Sequence, residues 1–243
     1  MKYKKENFLI ENVKVKNLVD KHETPLYCYS FKKIRENIEN FKSNFKKVNP
    51  IICFSVKSNP NKFLLHEIKK LGLGADVVSV GELMRALKSG VNPKKIVFSG
   101  VGKTTEEINF AIKKKILLIN TESKSEILNI EKIARSKKRI VNIGIRLNPN
   151  TDANTLSQIS TGKKENKFGV SEKIFLELVK YINNSKNLRL KCLSVHIGSQ
   201  ILNYKPFENM IKVLDKLIKK TKFNFEYIDL GGGMGFFRIN RIF

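Results

Sequence analysis

The sequence has few cysteines, no long apolar run and a shortage of acidic residues. Its three cysteines, Cys28, Cys53 and Cys192, are far apart, and each lies within an apolar stretch. This pattern favours buried free thiols in a reducing compartment over a disulfide framework, and it predicts no metal site. No apolar run approaches the ~20 residues of a membrane span, and the charged start has no apolar signal-peptide core behind it. We therefore expect a cytoplasmic protein without membrane contact.

Acidic residues number 22 against 47 basic ones, so the formal net charge is +25. Such an excess raises nucleic acid as a partner. The lysines, however, are scattered over nearly every segment, with neither an arginine-rich arm nor zinc-ligand spacing. A solvated basic surface explains this distribution, so we predict no nucleic-acid partner and keep a basic nucleic-acid-binding protein only as an alternative function.

Short apolar segments alternate with amphipathic segments along most of the 243 residues. Seven strands are predicted, at 51–57, 75–78, 95–100, 116–119, 140–147, 190–196 and 225–230. Seven helices alternate with them, which predicts parallel strands with right-handed crossovers. Because no phosphate fingerprint follows the first strand, a barrel is favoured over an open doubly wound sheet. We expect an α/β fold, a TIM-type (β/α)8 barrel with about seven of its eight βα units present.

Local signals place several elements within this pattern. Capping boxes are predicted at Ser79, Thr104 and Ser123, each followed three residues later by glutamate. One face of the last helix is predicted to point inward, with Phe207, Met210, Ile211, Leu214 and Ile218. Before the barrel, 8–13 and 25–29 are predicted to be short strands around a polar segment.

The apolar run at 51–56 ends on Lys57 and breaks at Asn59-Pro60. Two interpretations of this lysine are open. Its stem could extend from a strand end so that the amine reaches water. Alternatively, it could be a desolvated lysine with a lowered pKa that forms a Schiff base with a carbonyl cofactor or substrate.

In a barrel, the unusual polar residues would stand at the carboxyl ends of the strands, where barrel active sites lie. Lys57 ends the first predicted strand, Asp76 lies on the second, Arg146 ends the fifth and His196 ends the sixth. The triplet 231–233 follows the seventh, and backbone N–H groups of such a glycine loop can bind phosphate. Each of these residues alone also fits a structural role. Together they predict a pocket for pyridoxal phosphate.

Motifs along nearly the whole chain resemble those of the diaminopimelate decarboxylases, members of the barrel-type family of pyridoxal-phosphate enzymes that also holds ornithine and arginine decarboxylases. The matching stretches are 24–27, 55–59, 74–79, 81–83, 98–104, 146–149, 159–162, 164–169, 196–200 and 229–233. Three of them, Ser-Gly-Val-Gly-Lys-Thr, Ser-Thr-Gly-Lys-Lys-Glu-Asn-Lys-Phe-Gly and His-Ile-Gly-Ser-Gln, favour diaminopimelate over the sister substrates.

The resemblance implies a role for each candidate residue. Lys57 would hold pyridoxal phosphate covalently, and His196 would stack on the cofactor ring. Asp76 and Arg146 would lie nearby and orient the lysine and the histidine. The phosphate would be held by small residues that follow the sixth and seventh strands: Ser199, Gly231, Gly232 and Gly233.

The reaction implied by the resemblance is decarboxylation of meso-2,6-diaminopimelate, a small amino acid, to L-lysine and CO2, the last step of lysine biosynthesis. The full-length enzyme would be a homodimer. Residues 1–30 would pack on a C-terminal β-domain, 31–235 would form the cofactor-binding barrel, and 236–243 leave the family pattern as an aberrant tail. Because the eighth strand and the β-domain are missing, we expect a truncated enzyme with impaired activity. The alternative is a barrel-only, non-catalytic pyridoxal-phosphate-binding homeostasis protein.

Overall fold

The computed structural model describes residues 2–4, 6–45, 47–151, 161 and 168–235. At its start, β1 (Lys2–Lys4), β2 (Asn7–Ile10) and β3 (Val13–Lys14) form a small antiparallel sheet, which is followed by α1 (Val15–His22). The predicted strand at 8–13 is therefore two strands joined by a tight turn. The predicted strand at 25–29 is wrong, because no strand among the described residues pairs with this segment.

A second sheet of seven parallel strands forms most of the molecule. Its strands are β4 (Cys53–Ser55), β5 (Gly74–Val77), β6 (Ile96–Phe98), β7 (Leu118–Thr121), β8 (Val141–Arg146), β9 (Leu188–Ser194) and β10 (Tyr227–Asp229). The helices that alternate with them are α2 (Phe31–Ser43), α3 (Lys62–Lys70), α4 (Val80–Lys88), α5 (Thr105–Lys114), α6 (Lys124–Ser136), α7 (Glu172–Asn183) and α8 (Lys205–Thr221). Spatial order follows chain order from β4 to β10. A doubly wound sheet would reverse direction at a switch point, so the predicted barrel-type α/β fold with seven units is confirmed.

The sheet is strongly curled, as a contact across its inner face demonstrates. Asn120 on β7 donates a hydrogen bond of 2.7 Å to Asp229 on β10. In a flat sheet, strands three positions apart would lie roughly 14 Å from one another, too far for this bond. Gly144 on the intervening β8 makes room, because a Cβ there would overlap Asn120 Oδ1. The strands therefore curve around an interior that contains polar side chains.

The predicted helix caps are confirmed, but the capping box is complete at only one of the three. Ser79, Thr104 and Ser123 each accept a hydrogen bond from the backbone N–H three residues later. Only the α5 start has the complete reciprocal box, in which Glu107 accepts from the Thr104 N–H at 3.0 Å. At the starts of α4 and α6 the glutamate instead accepts from the residue before the cap, which joins each helix more tightly to the preceding strand.

The predicted inward face of α8 is partly wrong. Met210, Leu214 and Leu217 are buried there, whereas Ile211 is 51% exposed. Residues four and seven positions apart lie on one helical face, and Ile211 is turned about 100° away from Met210. Phe207 and Ile218 pack at the margins of the core as partly buried side chains.

The cysteines carry free thiols, of which Cys192 is buried and the other two are half-buried. Burial raises the pKa of Cys53 to about 12, so this thiol is unreactive at neutral pH. Among the described residues, no cluster of histidine, cysteine and carboxylate side chains is arranged to hold a metal ion. Within the same part of the chain, no helix has the length and apolar character needed to cross a membrane.

We expect Gly74→Ala to lower the free energy of unfolding by roughly 1–3 kcal/mol, the usual cost of overpacking. A Cβ at this position on β5 would overlap the backbone oxygen of Lys95, which cannot move without separating the strands. The matched control is Gly81→Ala in the first turn of α4, where a Cβ comes no closer than 3.7 Å to the Ser79 hydroxyl oxygen. Urea denaturation would measure both, and equal stabilities of the two variants would contradict the prediction.

Candidate active site

The candidate residues meet at the carboxyl edge of the parallel sheet. Asp76 lies on β5 and Arg146 is the last residue of β8, as predicted. Lys57 and His196, predicted to end their strands, lie two residues beyond β4 and β9. Lys57 belongs to the 3-10 turn Val56–Ser58, which the Ser58 hydroxyl fixes by donating to the Ser55 carbonyl at 2.7 Å. Lys57 is therefore presented by a turn, and His196 by irregular backbone beyond the end of its strand.

Lys57 is exposed, so the hypothesis of a desolvated lysine is wrong for the structure as described. Its ammonium group instead lies within electrostatic range of two other candidates: its charge favours the ionised form of Asp76 and disfavours protonation of His196. An accessible amine beside a carboxylate and an imidazole can be reached by a ligand that enters from the carboxyl edge.

Asp76 is held in the curled interior by two hydroxyl groups. Ser99 donates to its Oδ1 at 2.7 Å, and Ser55 lies 3.4 Å from its Oδ2. Burial raises the pKa of Asp76 to about 6, and the negative charge of Asp229 acts in the same direction. The Ser99 hydrogen bond and the Lys57 charge oppose this shift. Asp76 can therefore exchange a proton near neutral pH.

His196 has a neutral ring at physiological pH. Burial lowers its pKa to about 4, and the positive charges of Arg146 and Lys57 add to the effect. The Gly232 N–H lies 3.3 Å from Nδ1 and donates to it, which leaves the ring proton on Nε2. The ring is thus a flat, uncharged surface with one nitrogen already engaged.

Arg146 is oriented by a residue that the sequence analysis did not single out. Its guanidinium donates to Glu122 Oε1 at 2.9 Å and lies 4.9 Å from the centre of the Phe168 ring. Glu122 is nearly buried and also accepts from the Gly169 N–H at 3.1 Å. Glu122 directly follows the buried strand β7, and an acidic residue at such a strand end is the pattern that could have marked it as a candidate.

The glycine loop needs glycine at two of its three positions. Gly231 and Gly233 have φ values of 67° and 94°, and a Cβ at Gly231 would lie 2.6 Å from the Val195 carbonyl oxygen. A Cβ at Gly233 would overlap the Gly198 oxygen. A Cβ at Gly232, by contrast, would have nothing within 4 Å, so this exposed position faces open space.

Ser199 is half-buried in the loop after β9, beside the glycine loop. Its neighbour Ile201 donates a backbone hydrogen bond to the Gly233 oxygen at 2.9 Å. The motif at 159–167 lies outside the described residues except for Thr161. The hydroxyl of Thr161 donates to the His196 carbonyl at 2.7 Å, which ties this motif to the same edge.

Lys103, in the Ser-Gly-Val-Gly-Lys-Thr motif, was assigned no role by the sequence analysis. Its side chain is 1% exposed and forms an ion pair of 2.7 Å with Glu126. It also donates to the carbonyls of Gly100 and Asn120, the latter at 2.8 Å. All three ammonium protons are satisfied, so Lys103 ties the loop after β6 to β7 and α6 and is not available to a ligand.

The two shifted groups should make opposite contributions to the pH dependence of stability. The pKa of His196, about 4 in the folded state, is below its ordinary 6.5, so its contribution is present above pH 6.5 and is lost as pH falls towards 4. The pKa of Asp76, about 6, is above its ordinary 3.8, so its contribution is present below pH 3.8 and is lost as pH rises through 6.

We therefore expect the His196→Gln variant to lose less stability than the parent chain when the pH is lowered from 6.5 to 4. Asp76→Asn should instead remove the loss on raising the pH from 4 to 6. Urea unfolding of the parent and both variants across this range would measure the slopes. If the stability of the parent and of both variants changed with pH in the same way, neither group would have the shifted pKa that its surroundings predict.

Comparison with known proteins agrees with this geometry. The sequence profile described as "Pyridoxal-dependent decarboxylase, pyridoxal binding domain" matches residues 31–240. The chain belongs to the pyridoxal-dependent decarboxylase family. The cofactor implied by membership in this family is pyridoxal phosphate, and the site at the carboxyl edge lies within the matched domain.

Relatives in this family are similar over most of the chain. Diaminopimelate decarboxylase of Helicobacter pylori (strain J99) is 44% identical over 221 residues, which are 90% of this chain and 55% of that protein. The Aquifex aeolicus enzyme of the same name is 37% identical over 239 residues, 97% of this chain and 56% of the relative. The crystal structure of the Helicobacter pylori enzyme complexed with L-lysine superimposes with a TM-score of 0.90 at 42% identity, covering 93% of this chain and 58% of that one. The chain thus spans little more than half the length of these pyridoxal-dependent decarboxylases.

Proposed function

We propose that this chain is the cofactor-binding part of a cytoplasmic diaminopimelate decarboxylase that converts meso-2,6-diaminopimelate to L-lysine and CO2. The observation that carries the proposal is the meeting of an exposed Lys57, a neutral His196 and the glycine loop at one edge of the sheet. The similarity to relatives of that name over 90% or more of the chain supports the choice of substrate.

The residues present fit pyridoxal phosphate at both of its ends. A loop in which Gly231 and Gly233 exclude any Cβ, and in which Gly232 faces open space, suits the close approach of backbone to a phosphate. At the other end, the amine of Lys57 is accessible to an aldehyde. The uncharged ring of His196 connects the two ends of the site. It lies within electrostatic range of Lys57, and its Nδ1 accepts a hydrogen bond from the Gly232 N–H.

When bound, pyridoxal phosphate supplies an electron sink for the pair left behind when CO2 departs. The residues of this chain would attach the cofactor, orient it and set the protonation states of the groups around it. Lys57 would carry the cofactor and release it to the substrate amine, and Asp76, with a pKa of about 6, would exchange protons beside it. Burial, with the added positive charge of Arg146 held by Glu122, would keep His196 uncharged so that its ring can lie flat against an aromatic ligand.

We further propose that residues 31–235 act as the cofactor-binding unit and that 1–30 serve as a docking segment for a further β-domain. Exposed apolar side chains support the second assignment, since Tyr27 is 86% and Tyr29 is 59% exposed. The predicted tail at 236–243 lies outside the described residues. A homodimer of the full-length enzyme remains a prediction.

Covalent labelling tests the proposal. The chain would be mixed with pyridoxal phosphate, reduced with borohydride and digested, and the modified peptide located by mass. We expect one adduct, on Lys57. Prior addition of meso-diaminopimelate should protect Lys57 from reduction, and L-ornithine or L-arginine should protect it less.

Adducts spread over surface lysines would overturn the cofactor assignment. Protection by ornithine or arginine but not by diaminopimelate would overturn the substrate assignment. No observation favours a non-catalytic cofactor carrier or a nucleic-acid-binding protein: the matched relatives are decarboxylases.

A further inference from the structure

A polar chain in the barrel interior supports the glycine loop from below. It runs from Asn120 on β7, through Asp229 at the end of β10, to the backbone of Gly231. We propose that Asn120 and Asp229 are positioning residues, which hold the loop 231–233 in the shape that receives the phosphate of the cofactor. This inference rests on the proposed cofactor function.

Both carboxylate oxygens of Asp229 are engaged. Oδ1 accepts from the Gly231 N–H at 2.9 Å, the turn that an aspartate forms with the residue two positions later. Oδ2 accepts from Asn120 at 2.7 Å and from the Ser194 hydroxyl at 3.2 Å. Because the second oxygen is fixed by β7 and β9, the first cannot turn away from the loop.

Asn120 is an unusual side chain for its position. It is 1% exposed, and its Oδ1 has no hydrogen-bond partner among the described residues. A buried, half-satisfied amide costs stability that an apolar residue would not. Its amide nitrogen, however, makes the shortest bond to Asp229, and Gly144 lacks the Cβ that would block this bond. The bond to Asp229 is a reason to retain the amide.

Fixing the loop also sets where its amides point. The Gly231 N–H is directed at Asp229 and the Gly232 N–H at His196 Nδ1. These two bonds occupy both amides, so they fix the backbone of the loop, and a phosphate would approach on the open side of the loop at Gly232. Loosening Asp229 should therefore lower the affinity for phosphate more than it disturbs the aldehyde end at Lys57, which Asp229 affects through its charge on Asp76.

The test compares two ligands that differ only in the phosphate: pyridoxal 5′-phosphate and pyridoxal. Affinities would be measured by absorbance titration for the parent chain, Asn120→Ala and Asp229→Asn. Asp229→Asn retains an acceptor for Gly231 but turns an amide towards Asn120. The matched control is Asn142→Ala on β8, where the lost amide donates to the Leu117 carbonyl at 3.2 Å, away from the loop.

We expect the two interior variants to lose roughly 10-fold or more in affinity for pyridoxal phosphate, the usual effect of a lost hydrogen bond to a charged group. Their affinity for pyridoxal, which also reports that they are folded, should fall much less, and both affinities of Asn142→Ala should be unchanged. Equal losses for the two ligands, or none, would overturn the positioning role while leaving the proposed function intact. Failure of the parent chain to bind pyridoxal phosphate at Lys57 would overturn the proposed function and this inference with it.

Discussion

Lys57→Arg is expected to abolish covalent attachment of pyridoxal phosphate to the chain. A guanidinium stays protonated at any accessible pH and does not condense with an aldehyde as an amine does, although it retains the positive charge. The charge matters here because Lys57 acts electrostatically on Asp76 and His196. Arginine therefore removes the nucleophile with the least disturbance to the other groups. Borohydride reduction followed by peptide mass analysis would measure the loss.

The control for this substitution is Lys62→Arg, five residues further along the chain. Lys62 begins α3, is exposed like Lys57, and places its ammonium 5.1 Å from the Phe63 ring centre. It lies outside the candidate site, so its replacement should leave the adduct in place. If Lys57→Arg still gave one stoichiometric adduct, the cofactor lysine would have to be sought elsewhere.

Glu126→Gln is expected to lower the free energy of unfolding by about 3 kcal/mol, because it leaves the buried charge of Lys103 without a counter-charge. Lys103 is 1% and Glu126 11% exposed, with 2.7 Å between the paired atoms. Glutamine preserves the size of the side chain and can still accept a hydrogen bond. The decrease in the free energy of unfolding therefore measures mainly the effect of removing the negative charge. Urea denaturation at constant pH would measure it.

Two further variants separate the charge from other effects of the Glu126 substitution. Asp215→Asn breaks a pair with Lys219 of the same 2.7 Å length whose side chains are 57% and 74% exposed, and it should cost less than about 1 kcal/mol. Adding Lys103→Met to Glu126→Gln removes the buried charge altogether and should recover part of the lost stability. A double variant less stable than Glu126→Gln alone would show that the lysine stabilises the loops without needing its counter-charge.

Local patterns in the sequence were sufficient for the architecture. Apolar periodicity and caps such as Ser79 and Thr104 involve residues within one or two turns of each other, so each element is specified where it forms. Parallel strands place their carboxyl ends at one edge, which was enough to predict that Asp76 and Arg146 would approach the glycine loop. The error at 25–29 arose because a strand needs a partner, and no local pattern supplies one.

Contacts between distant parts of the chain could not be predicted from such local patterns. Asn120 and Asp229 are 109 residues apart, and their bond exists only because the sheet curls and Gly144 leaves space. The ion pair of Lys103 with Glu126 and the clamp of Glu122 on Arg146 likewise depend on loops that meet at the strand ends.

The sequence by itself determined the order of strands and helices and the family motifs, and it predicted the candidate lysine, histidine and glycine loop. Only the tertiary structure decided that Lys57 is exposed, that His196 is uncharged, that burial raises the pKa of Asp76 to about 6 and that Asn120 reaches Asp229. The reason is physical: burial and neighbouring charge set the protonation and accessibility of a side chain, and both arise from the curvature that brings remote strands together.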